Sequence, residues 1–305
     1  MALNLQAEIV VHANNQIGEG PLWDPVDQCL YWVDITRKRI HHYHPVSGET
    51  SCHEVDQYIS AIVPTQIRGT FLCAMKDGFY KLDLLTGTKE HIVNPEPNTP
   101  NNRFNDGKCD PAGRFFAGTM DMNIKPHAGA LYCLDAEHGC KKMLSNITIS
   151  NGLAWSLDGE TMYYIDTASA EIAAYSYDLN SGSLGERSSI AVIPSEEGSP
   201  DGMTIDCEGM LWIALWGGGK VIRLNPATGE HMASVTVPAS QVASCTFGGE
   251  NLDELYITTA AAFLSKERLA SEPLAGSLFR VKTGVRGVEA HSFAERTSNS
   301  AIVQP

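Results

Sequence analysis

A phrase built from an apolar run, a turn residue, a glycine and a second apolar run recurs six times, and this repetition limits the fold more than any other feature. The copies read GPLWDPVDQCLYWVDI from Gly20, AIVPTQIRGTFLCAM from Ala61, DGKCDPAGRFFAGTM from Asp106, GLAWSLDGETMYYID from Gly152, GMTIDCEGMLWIALW from Gly202 and SCTFGGENLDELYITTA from Ser244. Their turn-entry residues are Asp24, Thr65, Asp110, Ser156, Asp206 and Gly248, spaced 41, 45, 46, 50 and 42 residues apart. A period of roughly 40–50 residues holding several short strands marks the blades of a β-propeller.

Each copy divides into four strands of ordinary length. In the fourth these are residues 152–155, 161–165, 171–177 and 187–193, and in the fifth 202–205, 210–215, 220–224 and 231–237. The connections LDG at 157–159, CEG at 207–209, NSG at 180–182 and ATG at 227–229 carry hairpin chemistry. One segment, 263–274, suits a short helix and interrupts the sixth copy. A β-sandwich would not explain six similar copies. The expected fold is therefore all-β: one six-bladed propeller of four-stranded antiparallel blades spanning residues 1–305, with a loose tail after about 295.

A propeller leaves two exposed edges unless strands from both termini share one blade. The stretch 7–12 (AEIVVH) has no place in the first copy, so it is expected in the sixth blade beside 278–282 and 288–293.

Composition narrows function mainly by exclusion. The net charge of −14 argues against nucleic acid and against an anionic membrane surface, although a well-solvated exterior explains it equally. The N-terminal residues show no basic start followed by a long apolar run, and no window is apolar enough to span a membrane. Eight scattered cysteines form no C-x-x-C pair, which fits reduced thiols in a cytoplasmic protein.

The residue five positions before each turn entry is Glu19, Ser60, Asn105, Asn151, Asp201 or Ala243. Each begins the innermost strand of its blade, so all face the central channel at one end. Polar groups there are costly unless satisfied. Oxygen donors converging from different blades suit a hard divalent cation, while channel water or turn capping is the structural alternative. Glycine follows closely in G-E-G-P, N-D-G, S-N-G and P-D-G, which suits backbone crowding at the axis. Because chain direction alternates, loops 36–38, 76–77, 120–125, 167–170, 216–219 and 260–274 return to the same end. Asp121, Asn123 and Trp216 should wall the site, with 260–274 as a candidate lid. Arg103, two residues before Asn105, lies where its fork can reach a ligand's oxygens or pair with a surface carboxylate.

The stretches GEGPLWDP, NNRFNDGKCDPAGRFFAGTM, ISNGLAWSLDG, PDGMTIDCEGMLWIA and FGGENLDELYITTA resemble the SMP-30/gluconolactonase/LRE-like family, from about Gly18 to Phe293. The resemblance implies a six-bladed propeller with one divalent cation held by Glu19, Asn151 and Asp201, and substrate contacts from Arg103 and Asn105. Where a family member places a glutamate after G-T-M, this chain has Asn123, with Asp121 nearby to compensate in part. The implied activity is hydrolysis of sugar lactones to aldonic acids. The cation polarises the lactone carbonyl, Asp201 assists the attacking water, and Arg103 and Asn105 orient the substrate. Calcium, magnesium, manganese, zinc and ferrous iron all suit oxygen ligands in some degree, the harder ions best. Two other readings share these ligands: a calcium-binding regulatory protein without turnover, and an esterase or phosphotriesterase. A Ser–His–Asp hydrolase is disfavoured, because no G-x-S-x-G occurs.

Overall fold

The six copies become six sheets arranged in a ring in the computed structural model, which describes residues 3–137 and 139–295. Blade 1 contains Gly18–Asp24, Cys29–Asp34, Arg39–Tyr43 and Thr50–Glu54. Blade 2 contains Ile59–Pro64, Thr70–Met75, Gly78–Asp83 and Lys89–Val93. Blade 3 contains Asn102–Cys109, Phe115–Asp121, Gly129–Leu134 and Cys140–Ile147. Blade 4 contains Ser150–Trp155, Thr161–Asp166, Glu171–Asp178 and Ser183–Val192. Blade 5 contains Ser199–Ile205, Leu211–Trp216, Lys220–Leu224 and His231–Thr236. Blade 6 contains Val242–Gly248, Glu254–Thr259, Leu278–Lys282 and, from the N-terminus, Glu8–Val11.

The first hairpin of a blade is set by local side-chain chemistry. Asp110 Oδ1 accepts the amides of Ala112 and Arg114, and Asp206 Oδ1 accepts those of Glu208 and Met210, the same pattern two blades apart. Apolar faces of adjacent blades then pack on one another. Phe116, Leu131, Leu153, Trp155 and Tyr164 fill the space between blades 3 and 4, all under a tenth exposed.

Ring closure follows the expectation for the N-terminus and corrects it for the C-terminus. Glu8–Val11 pairs antiparallel with Leu278–Lys282 as the outer strand of blade 6. Leu3–Gln6 also adds a fifth, parallel strand to blade 5 beside His231–Thr236, so one N-terminal segment clamps two blades. Residues 288–293 are not a strand of blade 6, because Glu8–Val11 already occupies the outer edge. They belong instead to a strap beneath the ring. The Cys207 amide donates to Arg286 O and the Gly287 amide to Leu252 O, while the Phe293 amide donates to Pro64 O and the Ala294 amide to Gly113 O. The strap thus links blades 5 and 6 to blades 2 and 3 and seats Phe293 at zero exposure. The tail expected after about 295 lies outside the described residues. The helix expected within 263–274 forms over Lys266–Ser271, capped by Ser265, whose side chain accepts from the Arg268 amide. No helix among the described residues is long and apolar enough to cross a membrane.

Candidate metal and substrate site

All six innermost strands carry one extra residue relative to their neighbour, between Glu19 and Leu22, Ile59 and Ala61, Phe104 and Gly107, Asn151 and Leu153, Pro200 and Met203, and Val242 and Ser244. These are the positions of the axial residues. A bulge twists its strand and re-aims the side chain beside it, which accounts for polar residues turned to the axis from otherwise apolar strands. The glycines are needed because neighbouring inner strands nearly touch. A Cβ on Gly152 would sit 2.7 Å from Asp201 O, and one on Gly202 2.1 Å from Ser244 Oγ.

Glu19, Arg103, Asn105, Asn151 and Asp201 are all buried. Asn151 is held on both sides of its amide. Its Nδ2 donates to Thr167 Oγ1 at 2.7 Å, its Oδ1 accepts from Asn105 Nδ2 at 2.9 Å, and Thr167 Oγ1 donates in turn to Pro200 O, next to Asp201. Asn105 Oδ1 accepts from Arg103 Nη1 at 2.7 Å, and Arg103 Nη1 also donates to Phe104 O. An arginine–asparagine–asparagine chain therefore runs across blades 3 and 4. Carbonyl oxygens have two lone pairs, so Asn151 Oδ1 and Asn105 Oδ1 each keep one for a ligand.

Burial and mutual repulsion dominate the electrostatics of these carboxyls. Burial pushes the Glu19 carboxyl up to about 8, and the charge of Asp106 adds to this against the Gly20 amide and Arg103. Burial raises Asp201 well above the usual carboxylate range, reinforced by Glu19 and Asp106 and opposed by Arg103 and the Gly202 amide. Asp201 Oδ1 is buried with no hydrogen-bond partner, a costly arrangement unless something else binds there. Arg103 is lowered by burial to about 10, with Glu19 and Asp201 opposing, so it stays cationic at neutral pH. Carboxylates crowded into a dry channel favour protonation in the absence of a counter-charge, and a divalent cation supplies it. The donor set of two carboxylates and one amide therefore fits a hard dication. Among the described residues no group of three or more His, Cys, Asp or Glu converges to hold a metal.

The wall residues divide. Asp121 is buried at the end of its strand, in register with Asn102, and its Oδ1 accepts the Asn123 amide at 2.7 Å, so it shapes the loop. Asn123 is exposed on that loop. Trp216 is half-buried at the rung opposite Ser199, two residues from Asp201. Sequence reasoning missed two charged groups of the channel. Asp106 is buried, its charge raises the carboxyls of Glu19 and Asp201 while Lys108 acts to lower its own, and Lys108 Nζ donates to Met203 O at 2.7 Å. Both lie in the quoted N-D-G-K stretch, but on a bulged strand alternation does not tell which side chains turn inward. Glu96, in the loop before blade 3, was also missed. It accepts from Asn102 Nδ2, Thr119 Oγ1 and Tyr132 OH and fixes the strand start that carries Arg103.

Comparison with known proteins yields a full-length likeness. The sequence profile of the SMP-30/Gluconolactonase/LRE-like region matches residues 17–261. Regucalcin of Danio rerio is 39% identical over 295 residues, covering 95% of this chain and 99% of that protein. A solved luciferin-regenerating enzyme superposes with a TM-score of 0.89 at 36% identity, covering 94% of this chain and 98% of its own. A crystal structure described as a calcium-binding protein, regucalcin, from Agrobacterium tumefaciens gives 0.92 at 28% identity, covering 96% and 100%.

Proposed function

Because this chain belongs to the SMP-30/gluconolactonase/LRE-like family, we propose that it is a metal-dependent hydrolase that opens sugar lactones to aldonic acids. Family and relatives support lactonase-type or calcium-binding function in general terms. The observation that carries the finer reading is the Asp201 carboxylate, buried with one unpartnered oxygen and sharing its channel with Glu19 and a cationic Arg103.

In this reading Glu19, Asn151 and Asp201 hold one divalent cation, and the all-oxygen donor set favours calcium or magnesium. Such a cation, when bound, supplies Lewis-acid polarisation of the lactone carbonyl. Arg103 offers its remaining N–H donors to the ester oxygens, in a dry channel where such bonds count for more than in water. Asn105 keeps the arginine and Asn151 in register and offers its free lone pair to a substrate hydroxyl. Asp201 is the base. As water forms its bond to the carbonyl carbon, a carboxylate oxygen of Asp201 takes up the water's proton. As the ring C–O bond breaks, that proton passes to the departing ring oxygen, giving the hydroxy acid.

The test is acid release from glucono-, galactono-, xylono- and arabinono-lactones by protein stripped with chelator and then reloaded. Turnover that disappears on chelation and returns with a cation supports the reading, and lactones left intact at every metal loading refute it. A second reading, calcium binding without turnover, draws on the likeness to a protein described as calcium-binding. It corresponds to tight calcium uptake with no acid release. Aryl esters and phosphotriesters in the same panel test a broader esterase.

A further inference from the structure

The end of the ring at which the inner strands begin carries exposed apolar side chains that a polyhydroxylated ring does not call for. Phe263 is 81% exposed and its φ is +64°, a conformation that bulky residues rarely adopt. The segment that presents it is fixed at both ends. The Ala260 amide donates to Gln241 O and the Ala262 amide to Gln16 O, while Glu272 Oε2 accepts the Ser240 amide at 2.7 Å. The Phe263 ring meets the Trp216 ring edge-on, with centroids 6.4 Å apart. Trp216 occupies the rung opposite Ser199, two residues before Asp201 on the same strand, so the ring pair stands at the end of the blade where that strand begins. Across the ring, the blade 3 loop exposes Met122 and Ile124, the latter a β-branched residue at φ +57°.

Backbone held in a costly conformation is a reason to ask what function its side chains serve. Here it presents carbon rather than hydrogen-bonding groups, next to a polar axis. That is the complement of an amphiphile. We propose that the preferred substrate is a lactone with an apolar arm, whose ring sits at the axis while the arm lies on a shelf formed by Phe263 and Trp216. This rests on the hydrolase reading of the same site. The shelf contributes through removal of apolar surface from water, so its effect falls on KM.

The experiment compares δ-valerolactone with δ-decalactone, which share one ring and differ by a pentyl arm, on the cation-loaded protein. Wild-type kcat/KM should favour the decalactone by on the order of tenfold. Phe263→Ser should remove most of that preference through KM, and Phe263→Leu should restore it. Phe263 is exposed, so neither variant threatens folding. Equal effects of the serine variant on both lactones, or no wild-type preference, overturn the inference while leaving the hydrolase reading intact. So does a wild-type dimer that dissociates on Phe263→Ser with the preference unchanged, which makes the shelf a contact between two copies. If neither lactone nor any sugar lactone is opened, the hydrolase reading falls and this inference with it.

Discussion

Asn105 Nδ2 donates a 2.9 Å hydrogen bond to Asn151 Oδ1, joining the axial residue of blade 3 to that of blade 4 across the ring's interior. The same Nδ2 donates to Ser150 O, and Asn105 Oδ1 receives Arg103. One amide thus sets the orientation of a proposed metal ligand and of a proposed substrate-binding cation together.

Replacing Asn105 by alanine should therefore damage two functions at once. Partners that orient metal ligands are worth about 10–100-fold in affinity, and loss of Arg103 alignment adds to this in catalysis. Calorimetric titration with calcium should show weaker binding in that range, and lactone kcat/KM should fall further than the affinity does. Equal falls would place Asn105 in metal binding alone.

Asp201→Asn should separate stability from activity. The substitution removes a carboxyl that burial beside Glu19 and Asp106 forces to take up a proton on folding when no cation is bound. In the presence of chelator the variant should be more stable than wild type, by about 1–2 kcal/mol in denaturant unfolding. Its lactonase activity should fall by roughly 100-fold or more, as expected for loss of a general base. His41→Ala, far from the axis on the third strand of blade 1, should leave activity near wild type.

His41 should instead make the fold acid-sensitive. Its ring stacks on Trp32 with an interplanar angle of 8°, its Nε2 is buried without a partner, and burial lowers its pKa from 6.5 to about 4. The folded state holds the neutral ring, whereas the unfolded chain binds a proton below pH 6.5. The stability this provides is present in full above 6.5 and is lost as pH falls towards 4. With allowance for the part of the ring that solvent reaches, the loss is about 1–2 kcal/mol. His41→Phe should flatten the decline in urea stability over this window. An unchanged decline would assign it to other groups.

Phe293→Ala should act on stability alone. The ring is fully buried where the strap passes beneath blades 2 and 3, against a cluster that includes Ala61 and Phe115. Its removal should cost about 3–5 kcal/mol, while kcat/KM measured well below the melting temperature stays within about twofold. A large loss of kcat at low temperature would show that the strap couples to the site.

The repeat was legible because hairpin chemistry punctuates it. Residues such as Asp110 and Asp206 write the same turn into separate blades, so strand limits read from sequence fall within a few residues of those observed. The axial residues were legible because their spacing from those turns is constant, and the bulges explain why that position faces inward. Residues 288–293 misled because their apolar pattern suits a strand, yet which edge is free is a property of the closed ring. The fifth strand of blade 5 was missed for the same reason: Leu3–Gln6 pairs with residues more than 200 positions away. Glu96 gave no signal, since a carboxylate in a Pro-rich loop looks solvated until Asn102, Thr119 and Tyr132 are seen around it.

The proposed activity depends on a dication shared by Glu19, Asn151 and Asp201, and an anomalous difference map from crystals grown with calcium tests this most directly. The expected result is one strong axial peak with an oxygen of each of the three side chains at about 2.3–2.6 Å. A channel without a peak, or a peak elsewhere with Asp201 still unpartnered, would contradict it.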